Sequence, residues 1–535
     1  MKSISKVSNA GTLTAAAGSV LAVCLFFTPA AFGAPLIVTT TADSGSGSLR
    51  NAIDDSNLAP GPDEIVFAIP GTGPQTISLK TPLPEITDSV VIDGYTQAGA
   101  GNSVKLIHLD GTNIVFGDGL QFAVGVAVCV VRGLVIEGFP GNGISLQAEN
   151  FGITLDSNTI RANGRSGVYI IAGDGNSITG NMIWENAQGI FLGGQSRRTL
   201  ITRNFIGRDE GGNARPNTIG VEVECSGGEF EGTGNVIDTN VIWSNTGTGV
   251  IVRRIGSSRN VIRSNYIANN GADGVLVFDG ALATIVTNNA ILFNTANGVR
   301  VAGAETKGVL IRHNYIGGNA KLGIDLGGLC ESQSCQDDAN TGVTLNDSLD
   351  ADTGPNDLQN FPELTSAITT ACKTSVSGRL RSSPQADFDI EFFVNDASNA
   401  TTNAQGKTYL GSIRVTTDSN GIASFAPELP AVAAGSFITA TATGSGNALA
   451  GTSEFSAGVE AVAASALVMQ MTRLSGNLLS ISWSPTNPCQ RLQSASQLTG
   501  PWQDVDGSTN PYVSRSDDPN QVMKFFRVVE FMVIP

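Results

Sequence analysis

The sequence predicts an all-β protein in which a right-handed parallel β-helix (a solenoid of short strands) is followed by a β-sandwich and a small all-β module. Two repeated patterns predict the solenoid. Glycine followed by a β-branched residue recurs eight times between Gly143 and Gly323, at intervals of about 26 residues. Asn-x-Ile recurs seven times between Asn158 and Asn314 with about the same mean spacing. Such a period is typical of solenoids, in which each coil buries its apolar face on its neighbours.

The composition of the repeats separates this solenoid from helical and leucine-rich ones. The repeated apolar residues are Ile and Val rather than a fixed frame of Leu, and they alternate with period two, which favours strands. Asparagine at the same turn of successive coils can bond the next coil and tolerates left-handed backbone. We therefore predict an internal ladder of asparagines, formed by Asn158, Asn181, Asn204, Asn240, Asn265, Asn289 and Asn314.

The N-terminus predicts export. Lys2 and Lys6 precede a 13-residue apolar stretch at 15–27, and small residues before Ala34 suit peptidase cleavage. A membrane-spanning helix needs about 20 residues, so this stretch reads as a signal peptide rather than an anchor. No later stretch is apolar enough to span a bilayer. We expect a secreted or cell-surface protein without a transmembrane segment.

Changes of pattern along the chain predict its domains. Residues 48–56 can form one short helix with Leu49, Ala52 and Ile53 on one side, which would cover the apolar end of the first coil. Alternating strands separated by turns follow residue 361 and are typical of a β-sandwich. We predict a signal peptide at 1–33, an N-terminal cap at 34–60, the β-helix at 61–330, an acidic Asn/Asp-rich linker at 331–361, an Ig-like sandwich at 362–460 and the C-terminal β module at 461–535.

The start of the mature chain carries a resemblance. Residues 38–53 resemble the N-terminal motif of exported bacterial β-helix proteins of the CSLREA type, with Gly47 and Asn51 where that motif has Cys and Glu. Residues 322–327 and 451–456 are similar to later parts of the same family. The resemblance covers about residues 36–460 and implies a pectin-lyase-like fold outside a bacterial cell. It implies no catalytic residues, because the family has no agreed activity.

The strands that follow each repeated glycine predict an outward stripe. Alternation places Glu222 and Glu224 on one strand face, about 6.5 to 7 Å apart, near the separation that glycosidases use between two carboxyl groups. Tyr169 and Phe191 fall on the same stripe and could stack on sugar rings. Arg253 and Arg300 are the candidate bases for a lyase and candidate ligand-binding residues. The alternatives are a solvated strand face for the glutamates, and for Arg300 a surface ion pair with Asp325.

An acidic segment follows the solenoid. Its closely spaced oxygen donors suit Ca²⁺, which takes six to eight such ligands, although the spacing departs from an EF-hand. The predicted donors are Asp347, Asp350, Asp352, Asn356 and Asp357. The alternative is an acidic linker without an ion. We expect no cofactor other than Ca²⁺, and of the cysteines we favour only the pair Cys330 and Cys335.

Charge and composition narrow the function. A net charge of −16 disfavours nucleic acid as a partner, since phosphate binding needs clustered Lys and Arg. The presence of only two histidines, His108 and His313, strongly disfavours a multi-histidine metal site. We expect a monomer that binds a polysaccharide or cell-surface glycan, most simply a noncatalytic adhesion or glycan-binding protein. The alternative is a polysaccharide lyase or glycoside hydrolase that uses the outward groove of the β-helix.

Overall fold

A computed structural model describes the chain from residue 33 onwards. The described residues are 33–101, 104–226, 233–327, 330–331, 334–335, 342–396, 405–446, 449–476, 478–484, 486, 489–515 and 524–530. The predicted signal peptide therefore lies almost wholly outside the described residues. Among the helices in these ranges, none is long and apolar enough to cross a membrane.

The predicted right-handed parallel β-helix is confirmed: parallel strands stack into three long sheets, here named A, B and C. Sheet A contains the strands Leu36–Val38, Asp63–Phe67, Val90–Asp93, Val130–Arg132, Thr154–Asp156, Ser177–Thr179, Leu200–Thr202, Val236–Asp238, Val261–Arg263, Ile285–Thr287 and Leu310–Arg312. Sheet B contains Gln75–Ser78, Ile107–Asp110, Leu134–Glu137, Thr159–Arg161, Met182–Trp184, Phe205–Ile206, Val241–Trp243, Tyr266–Ala268, Ala290–Leu292 and Tyr315–Gly317. Sheet C contains Leu120–Phe122, Ile144–Leu146, Ser166–Ile171, Gln188–Gly194, Ile219–Cys225, Val250–Arg253, Val275–Phe278, Val299–Val301 and Ile324–Leu326.

The sheets enclose a core of stacked aliphatic side chains. The β-branched residue after each repeated glycine points inward, so Val168, Ile190 and Val221 are fully buried and pair in register on successive coils. The glycine itself is required by close packing: a Cβ at Gly189 would lie 2.4 Å from the carbonyl oxygen of Gly220. Gly followed by a β-branched residue thus marks the start of every sheet C strand except the first, Leu120–Phe122, in which Leu follows Gly119.

Asparagines form two long rows rather than one, beside a short one at the third turn that includes Asn235 and Asn260. The seven asparagines of the predicted ladder lie at the turn between sheets A and B. Each side-chain amide except that of the last, Asn314, donates to the next side-chain oxygen at 3.0–3.1 Å. The second row lies between sheets B and C, and the sequence analysis missed it. Its members are Asn163, Asn186, Asn217, Asn245, Asn270, Asn294 and Asn319. Both rows satisfy buried backbone groups that would otherwise lack partners.

The first coil is covered by a helix, α1 (Leu49–Leu58). Ser48 caps it by accepting a hydrogen bond from the backbone amide of Asn51. Leu49, Ala52 and Ile53 are buried against the solenoid core. The amphipathic pattern that predicted a helix at this place therefore also shows which side covers the apolar end of the first coil.

A β-sandwich closes the other end. Its strands are Glu363–Thr369, Lys373–Arg381, Asp387–Asn395, Thr408–Thr416, Ile422–Phe425, Glu428–Pro430, Phe437–Ser445 and Val459–Ala463. Phe393 and Phe455 of the sandwich join the solenoid core. Gln405 extends the second asparagine row by accepting from Asn319 at 3.2 Å. A short 3-10 turn, Pro355–Leu358, precedes the sandwich, and another, Gly94–Thr96, follows the third strand of sheet A.

The C-terminal module has two three-stranded antiparallel sheets. The strands are Val468–Leu474, Leu478–Ser484 and Tyr512–Arg515 in one sheet, and Gln490–Ala495, Gln503–Asp504 and Phe525–Glu530 in the other. A disulfide between Cys372 and Cys489 joins this module to the sandwich, across 117 residues of sequence. Sequence spacing did not indicate this pair. Cys330 and Cys335 face each other as Cα partners in a small hairpin, Cys330–Glu331 with Ser334–Cys335, but their side chains lie outside the described residues.

Candidate functional site

The outward stripe of sheet C lies in one register. Tyr169, Phe191, Glu222 and Ile251 are successive Cα partners on neighbouring strands. Because side chains alternate across a strand, each of these residues points away from the core that Val168 and its equivalents fill. The same rule places Glu224 two residues further along the strand, beside Arg253 of the next coil.

Glu222 and Glu224 are held by arginine rather than free. Glu222 accepts from Nε of Arg253 at 2.7 Å and from the amide of Gln188 at 2.5 Å. Glu224 pairs with the other end of Arg253 and with Arg254. The side chain of Glu222 is only 3% exposed. The prediction of a solvated strand face is wrong for Glu222, because the neighbouring coil supplies a guanidinium that covers it.

Burial and charge act in opposite directions on Glu222. Burial raises the pKa of its carboxyl, the nearby Glu224 raises it further, and the Arg253 guanidinium lowers it. The net pKa lies above its ordinary value, because desolvation is the largest of these effects. Arg253, expected to be a lyase base or a ligand-binding residue, is instead engaged by two carboxylates and is itself only 12% exposed.

Tyr169 and Phe191 stack on each other beside this network. Their ring centroids are 5.2 Å apart and the planes are inclined by only 5°. Both side chains are half-buried. One face of each ring is therefore covered by the other ring, and contact with a ligand is left to the opposite faces and the ring edges.

Beyond Glu222 the stripe is mostly covered: Leu276 and Arg300 are buried, and Ile251 and Asp325 are half-buried. Leu276, Phe278 and Ala302 form a small apolar cluster on the outer side of sheet C. The Arg300 side chain is 5% exposed and lies 3.7 Å from Asp325. This ion pair is therefore buried on the arginine side, and its prediction as a surface pair is wrong. The outer face of sheet C is covered around Leu276 and Arg300, so the described residues do not form an open groove along the whole sheet.

Three of the five predicted calcium ligands come together. Oxygens of Asp347, Asp350 and Asp352 lie within 4.8 Å of one another. The pKa of Asp350 is raised to about 6, mainly by burial and in part by the two neighbouring aspartates. Oδ1 of Asp352 is buried without a hydrogen-bond partner among the described residues.

The other two predicted ligands point elsewhere. The Asn356 amide bonds the backbone of Val309 at 2.8 and 2.9 Å, so it extends the last coil of the solenoid. Asp357 pairs with Lys307. These two side chains are therefore engaged by the solenoid, at Val309 and Lys307, and Asp357 is not in the group of three carboxylates that converge.

The sequence analysis overlooked the outer face of sheet B. Its outward side chains occupy the variable position of Asn-x-Ile, which includes Phe205, Tyr266 and Tyr315. Trp243, Leu292 and the left-handed turn residue Phe293 lie on the same side. From Phe205 onwards no described outward residue of the sheet B strands is charged. The signal was present in the repeat, because the residue between an inward Asn and an inward Ile must point outward.

Comparisons with known proteins agree with this architecture. Residues 81–223 match the model of the family described as periplasmic copper-binding protein (NosD), and residues 211–316 match the model described as right handed beta helix region. A search of curated proteins found no match.

Solved structures with a similar chain path include three from different sources. The A-module of the mannuronan C-5 epimerase AlgE4 from Azotobacter vinelandii is 15% identical, with 54% of this chain and 96% of that chain covered and a TM-score of 0.37. ORF18 of Geobacillus virus E2 is 12% identical, with 74% and 78% covered and a TM-score of 0.35. DFA-IIIase from Arthrobacter chlorophenolicus A6 is 14% identical, with 52% and 60% covered and a TM-score of 0.30. From its three parallel sheets and the matching family models, we conclude that this chain is a right-handed β-helix protein.

Proposed function

We propose that the protein is an exported, noncatalytic glycan-binding or adhesion protein that acts at the bacterial cell surface or in the medium. The observation that carries this proposal is the state of Glu222 and Glu224. Both carboxylates are bound to Arg253, and Glu222 is nearly inaccessible. A glycosidase needs one carboxyl group to donate a proton and another to attack or to activate water, and neither glutamate is free for these roles.

A glycan suits the surroundings of this network. Aromatic rings present an apolar face to the C–H groups of a sugar, and the Tyr169–Phe191 stack is half-buried on the outward side of sheet C. Arg254, which is 45% exposed, adds hydrogen-bond donors for hydroxyl groups nearby. The family name periplasmic copper-binding protein supports export. The solenoid itself supplies a stiff support, because every coil is bonded to the next.

The first test separates binding from cleavage. Mature protein is incubated with a panel of acidic and neutral polysaccharides, with and without Ca²⁺, and new reducing ends and unsaturated ends are measured. Binding to the same polysaccharides is followed by affinity electrophoresis. We expect retardation without cleavage, and we expect Glu222→Gln to keep the retardation. Cleavage that Glu222→Gln abolishes would replace this proposal by an enzymatic one.

A polysaccharide lyase or hydrolase is the second candidate, and the raised pKa of Glu222 favours it. A general acid must be protonated at working pH, and burial near a second carboxylate is how enzymes achieve this. In that case Arg253 would have to leave Glu222 when substrate binds. Unsaturated product ends would then indicate a lyase, and saturated reducing ends a hydrolase.

We also propose that Ca²⁺ binds at Asp347, Asp350 and Asp352 and joins the linker to the sandwich. The convergence of three carboxylates and the unpartnered oxygen of Asp352 support it. The test is the melting temperature in Ca²⁺ and in EDTA. We expect Ca²⁺ to raise it in wild type and in Asp357→Asn, whose side chain faces Lys307, but not in Asp350→Asn. An equal effect in all three proteins would refute the site.

Copper does not suit the residues present. In the segment that matches the copper-binding family, the soft or nitrogen donors are His108, Cys129 and Met182. Cys129 is fully buried and its thiol faces backbone carbonyl groups. His108 pairs with Glu137 and lies three strands of sheet B away from Met182, or about 14 Å at one strand spacing per coil. These donors cannot share an ion, and we derive no copper chemistry.

A further inference from the structure

The end of sheet B that meets the sandwich carries a pocket. It has a volume of about 140 Å³ and is lined by Leu292, Phe293, Tyr315 and the Gly317–Gly318 pair on the solenoid side. Asn395, Asp396, Gln405 and Lys407 of the sandwich form the opposite wall. Pockets for drug-sized ligands hold about 300–1,000 Å³, so this one accommodates a single small ring and not an oligomer.

On the outer face of sheet B, small glycine and alanine residues lie between large side chains. Tyr266, Ala290 and Tyr315 are successive partners in one column, and Ala268, Leu292 and Gly317 in the next. Large and small residues thus alternate in both directions. Tyr266 and Tyr315 are two strands apart, about 9.5 Å at the usual strand spacing. The rings of Tyr266 and Tyr315 are therefore separated by the small Ala290, whereas the rings of Tyr169 and Phe191 on sheet C stack on each other.

The turn residue Phe293 completes the wall. It adopts φ +54° and is 57% exposed, although its equivalent one coil earlier is the polar Asn269 at the same φ. Its ring lies against Gly318, where a Cβ would approach ring atoms to 2.5 Å. The left-handed turn therefore places an exposed aromatic ring at the mouth of the pocket, where the two preceding coils have the polar Ser244 and Asn269.

The polar wall matches a neutral, hydroxyl-rich ligand. Asp396 and Lys407 form an ion pair at the rim, and both are well exposed. A carboxylate that accepts and an ammonium group that donates can together bind adjacent hydroxyl groups. Because the two charges cancel, the pocket has no attraction for an anion, and the net charge of −16 opposes one.

From this geometry we propose that the pocket between sheet B and the sandwich binds one pyranose ring of a neutral glycan, with Phe293 and Tyr315 against its C–H face and Asp396 and Lys407 on its hydroxyl groups. Tyr266 contacts the same chain two coils away. The inference rests on the proposed glycan-binding function and moves its main site from sheet C to sheet B.

Two variants test the pocket without disturbing the coil. Phe293→Asn places in the turn the residue type that the preceding coil already has there. Gly317→Val projects into the pocket, and its Cβ has only ordinary contacts, at 3.6 Å and beyond. Tyr169→Ala is the matched control on sheet C. Their melting temperatures verify folding.

The measurement is calorimetric titration of the mature chain with neutral hexasaccharides of β-1,4-linked glucose, xylose, mannose and N-acetylglucosamine. We expect wild type and Tyr169→Ala to bind at least one equally well, and Phe293→Asn and Gly317→Val to bind it roughly tenfold more weakly, as expected for loss of an aromatic contact.

Three results would overturn the inference. Loss of binding in Tyr169→Ala alone would place the site on sheet C and leave the proposed function intact. Absence of binding by wild type would refute the pocket and count against the proposed function as well. A shift of the sedimentation coefficient from dimer to monomer in Phe293→Asn would identify the face as a contact between copies.

Discussion

Sheets B and C are formed by the same coils, yet their outer faces differ. On sheet C, Glu222, Glu224 and Arg253 satisfy one another, and Phe278 and Arg300 are buried. On sheet B, Tyr266 and Phe293 remain exposed, at 40% and 57%. A regular solenoid therefore does not imply a regular surface. On sheet C the carboxylate and guanidinium groups bind one another, whereas on sheet B the aromatic side chains are exposed to solvent.

Of the predicted changes, loss of the Arg253 side chain on sheet C should reduce the free energy of unfolding most. Arg253→Ala would leave two carboxylates without their main partner, and breaking a buried ion pair in this way costs about 3–5 kcal/mol. Arg254→Ala removes an exposed partner of Glu224 and should cost at most about 1 kcal/mol. Native-state hydrogen exchange in Ile219–Cys225 and Val250–Arg253 measures both losses. Equal losses would mean that Arg253 is not the centre of the network.

A smaller change in the free energy of unfolding is expected when one phenylalanine on each face, Phe278 on sheet C or Phe293 on sheet B, is replaced. Phe278 is 4% exposed within the apolar cluster on sheet C, so Phe278→Ala should lower the free energy of unfolding by about 3 kcal/mol. Phe293→Asn on sheet B should change it by less than about 0.5 kcal/mol. Urea denaturation of the two variants gives the comparison. A large loss for Phe293→Asn would show that this ring supports the fold rather than a ligand.

The smallest effect concerns the ends of the two sheets. Sheet C ends at Glu454, which accepts from the Leu326 amide at 2.9 Å, and burial raises the pKa of this carboxyl to about 8. A raised carboxyl pKa means that the folded protein holds the proton more tightly than the unfolded chain does. The contribution of Glu454 to stability is therefore fully present below the ordinary pKa of this carboxyl, 4.5, and is lost as pH rises through about 8. The loss should be about 2 kcal/mol, which is less than the full shift would give at about 1.4 kcal/mol per pKa unit, because water relieves part of the cost of burial.

Thermal unfolding at pH 5 and pH 9 tests this. Glu454→Gln should remove the part of the pH dependence that Glu454 contributes and leave the parts contributed by other shifted carboxyl groups, such as Asp350 and Glu222. Sheet B ends at the neutral Gln405, so Gln405→Ala should lower stability by about 1 kcal/mol at both pH values. A pH dependence unchanged in Glu454→Gln would show that its carboxyl is not the group that titrates.

The sequence was most informative where a position repeats. The 26-residue period, the inward residues and the helix α1 could be anticipated because each follows from local alternation or amphipathicity. The second asparagine row could also have been predicted, because Asn163, Asn186 and Asn245 lie five residues after members of the first row. The Asn-x-Ile pattern alone does not include these residues. The outward residues of sheet B were readable in the same motif.

Other features of the structure could not be predicted from the spacing of residues along the sequence. The disulfide Cys372–Cys489 spans 117 residues, and nothing in the sequence links its two modules. The calcium prediction selected five oxygen donors by proximity along the chain, but Asn356 and Asp357 turn towards the solenoid. Pairing of Arg253 with both glutamates depends on which coil lies next to which, and on rotamers that composition does not specify.

The period of the solenoid and the direction of its side chains follow from the order of the residues alone, because a strand exposes alternate residues whatever lies around it. Which outward residues reach solvent depends on the packing of the folded chain. The free energy of a carboxylate or an aromatic ring depends on the neighbour that covers it, and that neighbour comes from another coil or another domain. The register of the coils was therefore predictable, whereas the chemistry of the surface was not.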